Sequence, residues 1–307
     1  MKISKLLTMG LMVGSLGFIG CTDDEDPVTP TTVESLNAPT NLKANSKDDK
    51  SVTLSWTASA SETNANFNGY EIRYDGLPYD YTATAGNTTV TVSGLSDGQH
   101  VFTVKALSKD TTLNKNSAEI TIAWAPAWRF TKNINDEDIV MYEYTSTYGS
   151  GLNLFDEAGE APKCLKVASI EEWTVGISTK NDGEILFGPA AALGLNGSDG
   201  TTKYVQISSP LEANSIDDIF DSEALSARTY LANNVAVDLA NITTSKAGVV
   251  FYVKETLTDG STRYAKLFIY KGTNGWLNGS GTDEYVKVGA ISYQKNLGLP
   301  YAKVAAK

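Results

Sequence analysis

Short runs in which apolar and polar residues alternate recur along most of this 307-residue chain. "SVTLSW" sets Val52, Leu54 and Trp56 on one side of an extended segment, and "GYEIRY" does the same for Tyr70, Ile72 and Tyr74. "TTVTVSGL", "HVFTVKAL" and "SAEITIAW" follow, separated by Gly, Asn and Asp. Successive side chains of a strand point to opposite faces, so a period of two marks strands with one buried side. Several such runs at close spacing, with turn residues between them, predict an all-β sandwich over residues 38–125.

Pro126 in "APAWRF" interrupts the pattern and marks a change of domain. Over residues 126–307 the strand signals resume. "DIVMYEY" puts Val140, Tyr142 and Tyr144 on one face, and "EYVKVGAISYQ" makes a final strand. "GVVFYVKETL" and "RYAKLFIYK" flank "TDGST", a Gly-containing loop of hairpin type. One stretch departs from the period of two. "SIDDIFDSEALSARTYL" has Ser215 as a helix N-cap with Asp218 three residues on, then Ile216, Ile219, Phe220, Ala224, Ala227 and Leu231 at helical spacing. A second, mostly antiparallel β-sandwich or jelly roll with one helix is expected here. Its loops "GLNGSDGTT" and "GTNGWLNGSGTDE" are long enough and polar enough to hold a ligand.

Residues 38–125 resemble a fibronectin type III domain. The resemblance is carried by the opening "APTNL", by Trp56 and Tyr70 in the second and third strands, and by "GLSDGQHVFTVKA", where Leu95 and Gly98 match the family's leucine and glycine. His100 stands at or next to the position of a corner tyrosine, a departure that leaves the corner hydrogen bond open. The resemblance implies a spacer or protein-contact module rather than an enzyme. As the sole histidine of the chain, His100 is expected to fill that structural corner rather than to act in catalysis or metal binding. Tyr79 and Tyr81 in "GLPYDYT" form either an exposed aromatic loop or turn packing.

The N-terminus locates the chain. Met1, Lys2 and Lys5 precede an apolar run from Leu6 to Ile19, shorter than the ~20 residues a membrane-spanning helix needs, so residues 1–20 are expected to be a secretory signal peptide. Gly20–Cys21 resembles the lipobox of bacterial lipoproteins, although Phe18 stands where leucine is usual. That resemblance implies cleavage before Cys21 and lipid on that residue; a plain signal peptide with an incidental cysteine is the alternative. Asp23, Asp24, Glu25 and Asp26 are similar to the acidic export signal of Bacteroidota-type surface lipoproteins; a solvated spacer without a sorting role is the alternative. Like charges in a block keep the chain extended. Residues 21–37 then read as anchor and Pro/Thr tether, reaching roughly 50 Å at ~3.1 Å per residue. An outer-membrane, lipid-anchored and surface-exposed protein is expected.

Charge narrows the partners. The net charge is −11, and it becomes −13 once Lys2 and Lys5 leave with the signal peptide. No Lys/Arg cluster offsets it, which argues against nucleic acid and against anionic lipid surfaces. With Cys21 lipidated, Cys164 in "APKCLKVAS" has no partner in the chain and is expected to be a buried small side chain.

The usual catalytic signatures are missing. One histidine in the other domain cannot complete a Ser-His-Asp or Cys-His arrangement in the second, and no HExxH, paired CxxC, P-loop or GxGxxG occurs. Paired carboxylates suffice for glycoside hydrolysis. The candidates Asp136/Glu137/Asp138, Glu171/Glu172 and Asp217/Asp218 are adjacent in sequence, which on a strand splits them between faces. Asp136, Asp138, Asp199 and Asp283 are loop acids without the EF-hand pattern. No enzyme, cofactor or metal is expected.

One constellation is aromatic. Along "RYAKLFIYK", Ala265, Leu267 and Ile269 form an apolar face, and Tyr264, Lys266, Phe268 and Tyr270 fall on the other. Tyr252 lies on the neighbouring strand, and Trp276 follows in a Gly/Asn-rich loop. Exposed, this row would stack on sugar rings while Asn, Asp and Lys bond the hydroxyls; buried, it packs against a second layer. The first reading gives a surface polysaccharide binder, similar in domain organisation to accessory proteins of glycan-uptake systems. A faint similarity of the hairpin to HmuY-type haem-scavenging lipoproteins gives the second, without histidine ligands. An adhesion or protein-interaction lipoprotein is the third.

Overall fold

The computed structural model of the chain describes residues 33–155, 159–195, 204–222 and 229–294. The apolar N-terminal run, Cys21, the acidic run and Asp199 lie outside the described residues. Seven strands form the first sandwich: β1 (Thr40–Asp48), β2 (Ser51–Thr57), β3 (Phe67–Tyr74), β4 (Leu77–Ala83), β5 (Thr89–Val92), β6 (His100–Ser108) and β7 (Ile120–Trp124). They pair as two sheets, β1-β2-β5 and β4-β3-β6-β7. Val52, Leu54, Trp56, Tyr70 and Ile72 are buried between them, as the alternation predicts. Trp56 meets Tyr70 edge to face at 5.4 Å, and the Tyr70 hydroxyl donates to Glu62 Oε1 at 2.6 Å. Burial, together with that carboxylate, pushes the phenol up to about 12.

The corner is closed by histidine. His100 Nε2 lies 2.9 Å from the carbonyl oxygen of Ser96, four residues upstream, and Nδ1 lies 2.6 Å from Asp75 Oδ2. A carbonyl can only accept, so Nε2 carries a proton and makes the bond back to the chain that a corner tyrosine makes elsewhere.

Among the described residues, twelve further strands build the second sandwich: β8 (Ala127–Phe130), β9 (Ile139–Tyr142), β10 (Gly151–Leu152), β11 (Cys164–Leu165), β12 (Val175–Ser178), β13 (Leu186–Gly188), β14 (Tyr204–Ile207), β15 (Leu211–Ala213), β16 (Val237–Asp238), β17 (Gly248–Thr256), β18 (Thr262–Tyr270) and β19 (Tyr285–Gln294). One sheet runs β14-β17-β18-β19-β8, with β15 also on β17 and β9 also on β19; the other runs β11-β10-β12-β13-β16. The β17–β18 hairpin forms in the expected place, closed by the Leu257 amide donating to the Ser261 carbonyl at 2.8 Å. Phe251, Val253, Leu267, Ile269 and Ile291 face Val175, Ile177 and Phe187 of the other sheet, with Phe187 and Phe251 rings 4.8 Å apart. The fold is nearly all-β, as the pattern predicts.

The expected helix over 215–231 is broken. A single 3-10 turn spans Ile216–Asp218, Ile219 is extended, and helical backbone resumes at Asp221; residues 223–228 lie outside the described residues. Ser215 does not cap with its hydroxyl but donates to Asp218 Oδ1 at 2.8 Å, and Asp218 Oδ2 accepts from the Asn214 amide. The Ile219 carbonyl, which a continuous helix would bond to its own next turn, accepts instead from Lys266 Nζ at 2.7 Å. A tertiary contact outcompetes the local helical pattern.

That segment joins the two sandwiches. Ser46 N of β1 donates to Asp221 Oδ2 at 2.9 Å, and Ala44 N donates to Ser222 Oγ at 2.8 Å. Arg129 donates to the Ser46 carbonyl and to Asp217 Oδ1, while Lys47 lies 2.5 Å from Asp217 Oδ2. The free edge of β1 is thus satisfied by side chains of the second domain rather than by water.

Candidate functional site

The structure places the predicted aromatic row inside this joint. Tyr252 and Phe268 are buried, Tyr264 is half-buried against Tyr230, and only Tyr270 is exposed. Lys266, in the middle of the row, is fully buried, 2.8 Å from Asp221 Oδ1, and Tyr252 donates to the same oxygen at 2.8 Å. The expected open platform does not form, because the segment carrying Ile216, Ile219 and Asp221 covers that face and the core there is continuous with the first sandwich. Trp276 is also corrected, being only 4% exposed. Its turn is pinched by the Gly272–Gly275 bridge and the paired Asn278 and Tyr285 backbones, which fold the indole into the core under Lys271. An edge of Trp276 still borders a shallow hollow of 420 Å³ with Lys271, Asn274 and Thr243.

A different set of aromatics opens to solvent. Strand β9 crosses β19 so that Tyr142 stands directly opposite Tyr285. The inward face of β9, Ile139 and Met141, is buried, which leaves Val140 and Tyr142 on the outer face. The strand ends at Tyr142, so Tyr144 leaves that face and packs instead beside Trp173 and Leu193. Tyr148 arrives from the turn "TSTYGSG", its ring 4.8 Å from Tyr142 and 57% exposed. Tyr142 and Tyr285 rings meet edge to face at 5.6 Å. Gly149 makes the turn possible: at φ 121° it allows an approach in which a Cβ would sit 2.5 Å from the Leu165 carbonyl oxygen.

These three tyrosines line a groove of 650 Å³ with Asn133, Asn135, Glu137, Asp138, Lys163 and Cys164. The loop 132–138 is pre-formed. Asn133 Oδ1 accepts from the amides of Asn135 and Glu137, and its Nδ2 donates to Glu137 Oε2 at 3.1 Å. Asp138 receives Lys132 Nζ at 2.8 Å and Lys287 Nζ at 2.5 Å, which hold its carboxyl below the usual range. Cys164, expected to be buried, is half-buried on the groove wall; its Sγ donates to the Gly149 carbonyl at 3.1 Å, and desolvation there pushes its thiol up to about 11. Burial, with Cys164 and the neighbouring tyrosines adding to it, also raises the Tyr142 phenol. Flat rings beside fixed amides, carboxylates and ammonium groups can stack on and hydrogen-bond a polyhydroxylated ligand.

Strand alternation points to Tyr142, but Tyr148 and Tyr285 are not visible in the sequence as its partners. A tyrosine followed by glycines in a turn is the one signal Tyr148 offers.

Of the carboxylate candidates, Glu137 and Asp138 line the groove, while Asp217 and Asp218 take structural parts. Asp217 is held below its ordinary value by Arg129 and Lys47 against a burial effect that raises it, and Asp218 closes its own turn. Asp136 is a left-handed turn residue at φ 62°, and no cluster able to hold a metal occurs among the described residues.

Residues 37–123 match the fibronectin type III domain model. Chitinase A1 of Niallia circulans is 35% identical over 130 residues, a stretch that covers 42% of this chain and 17% of the chitinase. Among solved structures, the central fibronectin-III array of RIM-binding protein is 11% identical over 83% of this chain and 89% of that one, with a TM-score of 0.26. A two-domain fibronectin type III segment of chicken tenascin is 11% identical over 77% and 93%, with a TM-score of 0.23. The family 28 exopolygalacturonase of Yersinia enterocolitica is 20% identical over 37% and 23%, with a TM-score of 0.22. At these scores the three structures carry no argument about ligand or partner. Residues 37–123 of this chain are a fibronectin type III domain.

Proposed function

We propose that this protein is a lipid-anchored, cell-surface polysaccharide-binding protein of an outer membrane, non-catalytic, that holds its ligand in the groove of Tyr142, Tyr148 and Tyr285. The observation that carries the reading is the tyrosine cluster itself. Three rings open onto a 650 Å³ groove already furnished with amides and charged groups held in place by their own hydrogen bonds. Binding sites for sugars need such flat apolar faces beside fixed polar atoms. The similarity of part of the chain to a protein named as a chitinase accords with a carbohydrate-associated module. The Gly20–Cys21 lipobox and the acidic run after it support anchorage at the surface.

The fibronectin type III domain serves as a spacer fixed to the binding domain. Its role as a contact surface is the second reading, favoured by Leu77, Tyr81 and Val101, which are 61%, 41% and 44% exposed on that domain.

Calorimetric titration of the purified protein with soluble polysaccharides tests the proposal. Saturable binding that Tyr148→Ala weakens about fivefold or more is expected, the loss of one stacked ring being worth roughly 1 kcal/mol or more. Binding that is indifferent to Tyr148→Ala and Tyr285→Ala would remove the groove from the account.

A further inference from the structure

Stacking accounts for only part of the groove. Besides the three tyrosines, the side chains of Ile134, Val140, Pro162 and Cys164 wall it, and they give a hydroxyl little to bond. The Cys164 proton is already donated to the Gly149 carbonyl. Ile134 is 55% exposed among the amides and acids of residues 133–138, and it shares the groove with the exposed ring of Tyr148. An unsubstituted sugar carries hydroxyls around the edge of its ring. Set against such a wall, a hydroxyl loses water and gains no hydrogen bond, which costs affinity. A methyl-bearing substituent in the same place buries apolar surface instead.

The polar lining narrows what that substituent is. Glu137 Oε2 takes one bond from Asn133 Nδ2, which orients the carboxylate and leaves its other oxygen to accept from a ligand. Asn135 and Lys163 supply donors, and Lys163 has N–H bonds to spare beyond its pairing with Glu160. An acetamido group has a methyl for the apolar wall, an N–H for the carboxylate and a carbonyl oxygen for an amide or ammonium donor. A deoxy sugar supplies only the methyl, and an O-acetyl ester lacks the N–H. We infer that the groove binds polysaccharides whose sugars carry acetamido groups, with Ile134 and Val140 receiving the methyl, a conclusion that rests on the groove being a carbohydrate site.

Calorimetric titration of the full-length protein with the β-linked tetrasaccharides of N-acetylglucosamine, glucosamine and glucose tests this, since the three differ only in the substituent beside the anomeric carbon. The N-acetylated sugar should bind about fivefold or more tighter than the glucose sugar. Its acetamido methyl should be the most strongly saturated group in saturation-transfer NMR. Ile134→Ser and Val140→Thr should each narrow the affinity ratio by about twofold or more. Equal or tighter binding of the glucose sugar would overturn the inference, and so would a free amine that outbinds the acetamido group, because charge on the lining carboxylates then explains the preference. If Tyr148→Ala weakens that binding, the groove remains the site. Binding of none of the three also overturns the acetamido inference, and the polysaccharide titration with Tyr148→Ala then decides the groove separately. The wild-type comparison stands whether or not the variants fold.

Discussion

Lys266 Nζ and Asp221 Oδ1 lie 2.8 Å apart, and neither side chain has any contact with solvent. Around them the Ile219 carbonyl and Asn45 Oδ1 accept from the ammonium, while Tyr252 and the Ser46 amide donate to the carboxylate. The ion pair sits where the two domains meet and draws on both. Burial lowers the Lys266 pKa, and the charge of Asp221 works against that shift. The pair therefore acts as a polar rivet that fixes the fibronectin type III domain to the second domain.

Removing one partner should be far worse than removing both. Lys266→Met leaves Asp221 buried without its counter-charge and should cost about 3–5 kcal/mol, measured by urea unfolding. The double change Lys266→Met with Asp221→Leu should recover much of that loss. A single variant as stable as the wild type would show the pair to be incidental.

Acid should loosen the same joint from its outer side. Arg129 and Lys47 depress the Asp217 pKa in the folded state despite the opposing effect of burial. A depressed carboxylate contributes stability that is present above its unfolded value of about 4 and is lost as pH falls through the folded value. The unfolding midpoint should drop below about pH 4, and Arg129→Gln should flatten that drop. An unchanged pH profile in Arg129→Gln would contradict the assignment.

The corner histidine should matter for stability and not for ligand binding. His100→Ala removes the bonds to Ser96 and Asp75 from a buried position and should cost roughly 1–3 kcal/mol. Polysaccharide affinity should stay as it is, since His100 belongs to the other domain.

Cys164 should be inert as a thiol. Its pKa is pushed up to about 11, so almost no thiolate exists near neutral pH. Ellman's reagent should titrate it many times more slowly in the folded protein than after denaturation. Rapid reaction in the native state would refute the raised thiol pKa.

The legible part of this molecule is the part fixed by local pattern. Alternation located Val52, Leu54, Trp56, Tyr70 and Ile72 in the first core and Ala265, Leu267 and Ile269 in the second, because strand geometry alone dictates which side chains share a face. It could not decide which of two faces of β18 meets water, since that depends on a distant segment, residues 214–222, lying down across it. Trp276 misled for a similar reason. Gly- and Asn-rich loop composition predicts exposure, but a pinched turn can return one large ring to the core. The groove escaped because Tyr142 and Tyr285 meet only through the pairing of β9 with β19, which nothing local encodes.

The measurement that bears most directly on the central claim is oxidative footprinting of the tyrosines with and without a saturating uncharged oligosaccharide. Protection of Tyr148, Tyr142 and Tyr285 is expected, with Tyr81 and Tyr270 unchanged. Protection confined to Tyr81 or Tyr270, with Tyr148 as reactive as before, would contradict it.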